Sequence, residues 1–194
     1  MKHQKMKLKD IAEITTGYSF RTKIQNDPKG NTYAIQMRDI SDDRTNIIDE
    51  PNKVDGGKIH EKHLLKKGDV LFMAKGANNF AVCHDEKFNP AVAASAFFVL
   101  RLENDTILPK YICLYINSEI GQNYLQSNMA GTYIPNINKS TLQDMEINIP
   151  TIKDQEKLIK LFQTHLKEKE LLGSILAKKE IMINEMIKRI IKHK

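Results

Sequence analysis

Tryptophan is absent from this 194-residue chain, and cysteine occurs only at Cys83 and Cys113. Two thiols so far apart make neither a disulfide framework nor a zinc-type pair. So few cysteines fit a reducing, cytoplasmic setting. Proline and glycine are held to six and nine residues, which excludes collagenous and low-complexity classes. No apolar run approaches the roughly 20 residues that span a bilayer. The basic stretch Met1–Lys9 has no apolar segment behind it, so neither a signal peptide nor a membrane anchor is expected.

Catalytic signatures are equally scarce. There is no phosphate-cradling Walker A loop and no dinucleotide fingerprint. There is no Asn-Pro-Pro-aromatic or Asp-Pro-Pro-aromatic run of the kind amino-methyltransferases place at a target nitrogen; Asn89-Pro90-Ala91 matches only half of it. The Glu-x-Lys element of metal-dependent nucleases is missing. Asp-x-Lys occurs at Asp27-Pro28-Lys29 and Asp85-Glu86-Lys87, and both fit turns. Cys83-His84 suggests a thiol–imidazole dyad, but neighbours on a strand point to opposite faces, so a buried cysteine beside a surface histidine is expected. His60 and His63 can share one helical face, yet no third ligand accompanies them. No metal or cofactor is expected, and no catalytic residue is assigned.

What is present is an ordinary globular composition, 41% hydrophobic and 28% charged. The net charge of +6 is unevenly spread. From Gln155 onward ten Lys and Arg face five Asp and Glu, leaving twenty against nineteen before it. A polyanion-binding body would have to work through local clusters.

Hydrophobic periodicity predicts an amphipathic helical start over Met6–Ile14, broken at Gly17, and a strand over Thr32–Ile40. Ser41–Gly57 reads as a long surface loop. Strands follow at Val70–Met73, Phe80–Cys83 and Val92–Leu102. Helices follow at Pro109–Asn117 and Glu119–Ser127, then a loop over Gly131–Asn136, a helical turn over Thr141–Met145 and a last strand over Glu146–Ile149. Strands and helices without regular βαβ alternation indicate an α+β domain with mixed or antiparallel strands over residues 1–150.

Residues 151–194 differ in character. They lack proline, contain only Gly173 as glycine, and carry an apolar seam of mixed threes and fours that includes Leu158, Phe162, Leu172, Leu176, Ile183, Met186 and Ile190; Lys169 and Gly173 interrupt it, so an imperfect coiled coil is expected. A helix from about Asp154 to Ile191 would be roughly 55 Å long. A small domain cannot cover such a rod, so its stripe needs a second helix.

Four polar clusters suit nucleic acid. Tyr18, Ser19, Arg21 and Lys23 form an aromatic–basic loop. Gln36 and Arg38 carry side chains that can make bidentate base contacts. Lys75, Asn78 and Asn79 crowd one turn; Tyr133, Asn136 and Lys139 crowd another. They amount to a binding site only if the fold brings them together.

The ordered pattern resembles a known family. Leu8–Arg21 (LKDIAEITTGYSFR) is similar to the opening of a target-recognition domain in type I restriction-modification specificity subunits. Lys67–Phe72 resembles that family's Gly-Asp-hydrophobic strand start. Val99-Leu100-Arg101 with Pro109–Ile112 resembles its next segment, Gly131–Ile137 its glycine-plus-Asn-Ile loop, and Ile149–Leu158 its Pro…Gln junction into a conserved helix. Such subunits carry two recognition domains and two helices; this sequence has one of each and resembles a half-length form, natural or truncated. The resemblance implies double-stranded DNA as ligand, methyltransferase (modification) and restriction subunits as partners, and catalysis left to those partners. It also implies antiparallel helix pairing, so the expected assembly is an antiparallel homodimer reading a bipartite palindrome. The alternatives are a stand-alone DNA-binding regulator, a coiled-coil adaptor without DNA specificity and, least favoured, a nuclease.

Overall fold

The computed structural model describes residues 4–48, 50–76, 78–129 and 136–192, which form two compact units, residues 1–155 and 156–194. The first unit is built on three small sheets. The strands are β1 (Gln4–Lys7), β2 (Ala12–Thr16), β3 (Thr32–Ile35), β4 (Asn52–Val54), β5 (Val70–Met73), β6 (Ala81–Cys83), β7 (Ala91–Ala93), β8 (Phe97–Leu102) and β9 (Glu146–Ile149). Helices α1 (Pro109–Asn117), α2 (Glu119–Ser127) and α3 (Lys139–Gln143) follow β8, and α4 (Ile152–Lys192) ends the chain.

The largest sheet has the order β2-β8-β5-β6 with every pairing antiparallel. Its edge strand β2 alternates as a half-exposed strand must: Ala12 and Ile14 are buried, Glu13 and Thr15 exposed. The central strand β5 is buried at all four positions, which explains its unbroken Val-Leu-Phe-Met sequence. The other edge, β6, is closed by a side chain. The Asn117 amide donates to the Ala81 carbonyl and accepts from its N–H, both at 2.8 Å, and so serves as a further strand residue. A second sheet, β4-β3-β7, pairs β3 antiparallel to β4 and parallel to β7. The third joins the two ends of the domain, β1 with β9. Leu71, Met73, Phe80, Phe97 and Val99 pack with Ile35, Ile40, Ile47 and Phe88 in one core cluster.

Four expectations are corrected. Met6–Ile14 is not a helix: β1, a 3₁₀ turn at Leu8–Asp10 and β2 occupy it. The spacing of Leu8, Ile11, Ala12 and Ile14 fits either structure, and ladders to β9 and β8 outweigh local helix formation. The strand expected over Thr32–Ile40 stops at Ile35, and Met37–Asp39 turns as a 3₁₀ helix. The Asp39 carboxylate accepts the Gln36 N–H at 2.7 Å, a local bond that competes with strand extension. The single strand expected over Val92–Leu102 is two, β7 and β8, which belong to different sheets. The Ser41–Gly57 loop carries β4 and the buried Ile47.

The second unit is helical. α4 has 41 residues and is about 60 Å long. It begins with a capping arrangement: the Asp154 N–H donates to Thr151 Oγ1 at 3.3 Å, and that hydroxyl donates to the Asp154 carboxylate at 2.7 Å. Every residue of its expected seam is exposed, from Phe162 at 37% to Ile190 at 74%. Among the described residues no helix is long and apolar enough to cross a membrane.

Candidate nucleic-acid interface

The short link between β7 and β8 organises the candidate site. The Tyr18 N–H donates to the Ala93 carbonyl at 2.7 Å, and the Gly17 N–H to the Phe97 carbonyl at 2.9 Å. The Ala94 N–H donates to the Ile35 carbonyl at 2.9 Å, and the Ala74 N–H to the Ala96 carbonyl at 3.0 Å. The Ile137 N–H then reaches the Ala74 carbonyl at 2.9 Å, and Lys75 bridges Asn136. The ends of β2, β3 and β5 therefore meet at one junction. The segments Tyr18–Lys23, Gln36–Arg38, Lys75–Asn79 and Asn136–Lys139 all leave from it.

Local sequence explains the close approach. A Cβ on Gly17 would stand 2.3 Å from the Ala94 carbonyl oxygen, so only glycine lets β2 and the β7–β8 link meet. At Gly76 the backbone turns with φ +97°, a conformation that keeps the Lys75 turn tight.

At this end Ser19, Arg21, Lys23, Arg38, Lys75, Asn78, Asn136 and Lys139 are exposed. Tyr18 is half-buried and meets Phe20 and His63 edge-on, with ring centroids 4.8 and 5.4 Å away. Burial and the nearby Lys62 lower the His63 pKa beside the tyrosine. Arg38 lies 3.5 Å from the buried Asp39 carboxylate. Lys139 opens α3, whose cap is Asn138; the Asn138 side chain accepts the Thr141 N–H at 2.8 Å. Tyr133 lies outside the described residues.

Two expected contact residues are turned inward. Asn79 is 2% exposed, and its amide donates to the Met73 and Ala74 carbonyls at 2.9 and 3.2 Å, fixing the turn from below. Gln36 is half-buried, with its amide nitrogen inside and without a partner among the described residues. One cation was missed. Arg44 stands with Arg38 and Asn78 around a groove of about 520 Å³. No periodicity marks it, because it sits in an irregular turn.

The catalytic alternatives fare as follows. His84 is fully buried and Cys83 only half-buried, the reverse of the expected pair, because β6 ends at Cys83 and His84 bonds back to Asp69. Burial pushes the Cys83 thiol up to about 11, away from a thiolate. His60 does not share a helical face with His63; it caps the turn by accepting the Lys62 N–H. Asp27 and Asp85 each accept the N–H of the lysine two residues on, so both Asp-x-Lys elements are turns. Among the described residues no three His, Cys, Asp or Glu side chains are grouped to hold a metal.

Two sequence motifs meet in space. Arg101 on β8 donates to both Asp69 oxygens at 2.9 and 2.6 Å, and the Asp69 carboxylate also accepts the Lys66 N–H at 2.8 Å. At the end of the domain Gln155 is fully buried: it accepts the Leu108 N–H at 2.8 Å and donates to the Thr106 and Pro150 carbonyls, both at 3.0 Å. These are the Gly-Asp, Leu-Arg and Pro…Gln segments that carry the resemblance.

Comparison with known proteins agrees with this architecture. The S subunit of a type I restriction-modification system from M. genitalium shares 16% identity and a TM-score of 0.60, over 89% of this chain and 41% of that one. A structure described by complex assembly and conformational transition of the type I R-M system gives 15% and 0.69, over 95% and 43%. The HsdS subunit from Thermoanaerobacter tengcongensis gives 15% and 0.58, over 86% and 38%. This chain thus spans about two fifths of each of them. No curated protein matches the sequence. The family model described as "Type I restriction modification DNA specificity domain" matches residues 2–179, and the chain belongs to that family.

Proposed function

We propose that this chain recognises a DNA sequence as a non-catalytic specificity component of a type I restriction-modification system. The observation that carries the reading is the convergence of four polar segments on the β7–β8 link. Arg21, Lys23, Arg38, Lys75 and Lys139 supply phosphate contacts from that end, while Tyr18, Ser19, Asn78 and Asn136 supply hydrogen-bonding and aromatic groups. Local clusters do this without a strongly basic body.

The uncovered α4 stripe supports the second half of the proposal. Leu158, Phe162, Leu172, Leu176, Ile183, Met186 and Ile190 bury against the same helix of a second copy, running antiparallel. Each large side chain withdrawn from water contributes about 1.5–3 kcal/mol before the cost of association. Gly173, where an added Cβ meets nothing within 4 Å along its own chain, lies near the middle and permits close helix approach. Two identical recognition domains related by a two-fold axis read inverted half-sites, so the target is a bipartite palindrome with an unread spacer. Methyltransferase and restriction subunits dock on the helix pair and perform the chemistry on cytoplasmic DNA.

Selection from a random duplex pool tests the reading. The full chain, alone and with a methyltransferase subunit, should enrich one bipartite palindrome, with tighter binding in the complex. Enrichment of no motif leaves the coiled-coil adaptor as the surviving account. Tight selective binding by the chain alone, unchanged by the partner, supports a stand-alone regulator.

A further inference from the structure

The turn Ser41–Asn46 holds a cation that the DNA-reading function does not yet use. We propose that Arg44 is a specificity-determining residue that reads a guanine in the major groove, with Asp42 facing the amino group of the paired cytosine. The proposal rests on the DNA-reading function above.

The turn is held firmly. The Ser41 hydroxyl accepts the Thr45 and Asn46 N–H groups, both at 3.1 Å, and donates to Asp43 at 2.6 Å. The Arg44 N–H donates to the Ser41 carbonyl at 2.8 Å, and the Ser41 N–H to the Asn46 carbonyl at 3.0 Å. Arg44 itself takes φ +59°, a left-handed conformation that arginine rarely adopts. Its guanidinium lies 5.3 Å from the centroid of Phe80, a ring only 3% exposed and part of the core. A buried, core-packed ring thus lies beneath the guanidinium.

This placement separates two kinds of contact. A phosphate needs only a positive charge, and the exposed Arg38 and Lys75 provide that. Arg44 lies over a core ring and lines the groove, and the two-donor edge of a guanidinium is the geometry that matches guanine O6 and N7. The groove also carries Asp42 on its wall, beside Arg38 and Asn78. A carboxylate there repels phosphate, but it accepts from the cytosine amino group, which lies next to guanine O6 in the same groove. Arg44 and Asp42 line one groove and carry the donor and acceptor types that the edge of one G·C pair requires.

Motif selection with the full chain tests this. Arg44→Gly is the informative variant, because glycine adopts φ +59° freely and the turn keeps its backbone bonds. The expected result is an enriched motif identical to wild type except at one G·C position, where preference drops roughly tenfold to hundredfold. Arg44→Lys retains the charge but not the fork, and should show the same loss. Equal weakening on all sequences, with the salt slope reduced by about one, would make Arg44 a phosphate contact and overturn the proposal. So would recovery of the wild-type motif by lysine, or an unchanged motif in the glycine variant. If thermal unfolding shows the glycine variant misfolded, the lysine variant decides. Failure of the wild-type chain to select any motif rejects the DNA-reading function and this proposal with it; a wild-type motif preserved in both variants rejects the proposal alone.

Discussion

Asp69 should be worth more to stability than the exposed carboxylates of the first unit. It is 1% exposed and receives three hydrogen bonds, two from Arg101 and one from the Lys66 N–H. Replacing it with alanine leaves that N–H without its acceptor and the guanidinium, only 28% exposed, without its counter-charge. Breaking a buried pair from one side costs about 3–5 kcal/mol. Arg101 retains some access to water, so the cost should lie near the lower end, about 3 kcal/mol. For a chain of this size each kcal/mol moves Tm by roughly 2–4 °C, so Asp69→Ala should lower it by about 6–12 °C. Replacing both partners, Asp69→Leu with Arg101→Met, removes the stranded charge and should recover about 2 kcal/mol relative to the single change. Urea titration followed by the near-ultraviolet circular dichroism of tyrosine measures this, since all six tyrosines precede Gln155 and the signal does not report α4. A single-variant cost below about 1 kcal/mol, or strict additivity in the double variant, would show that the pair does not hold β8 to the start of β5.

Three further outcomes are expected. Leu172→Glu with Leu176→Glu should convert the helix-paired assembly to a monomer in sedimentation, and cysteines at Leu158 and Ile190 should cross-link between chains; efficient Leu158-to-Leu158 links would instead indicate parallel pairing. Lys75→Ala and Lys139→Ala should weaken DNA binding alike for every sequence and each reduce the salt slope by about one, and a loss confined to one motif position would contradict the phosphate role. His84 is fully buried with neither ring nitrogen partnered among the described residues, and burial lowers its pKa below 6.5 although Asp69, Asp85 and Glu86 pull it upward. The unfolded chain gains a proton there near pH 6.5 while the folded chain does not, so stability should fall as pH drops below about 6.5; His84→Leu should flatten that part of the curve, and an unchanged slope would refute the assignment.

Much of the architecture follows from local pattern. The buried run Val70–Met73, the proline-led α1, α2 and β9 stand at the expected places, because periodicity and turn chemistry act within a few residues. The apolar stripe from Leu158 to Ile190, interrupted at Lys169 and Gly173, still marked a long helix, and the charge count placed the positive excess from Gln155 onward. The polar segments were legible as residue types. Tertiary structure alone decided what depends on distant partners. Met6–Ile14 satisfies a helix as well as the end of one strand, a turn and the start of another, and the choice rests on ladders with residues 146–147 and 100–102. Asn79 and Asn78 are neighbours of one chemical type, yet one braces the turn from inside and the other faces the groove, because only the Met73 and Ala74 carbonyls create the buried position. Arg44 has no sequence signal; its fixed place comes from the Ser41 turn and from a phenylalanine 36 residues away in the core. The convergence of four loops likewise rests on backbone bonds at the β7–β8 link, where long-range pairing, not local propensity, decides which chain segments meet.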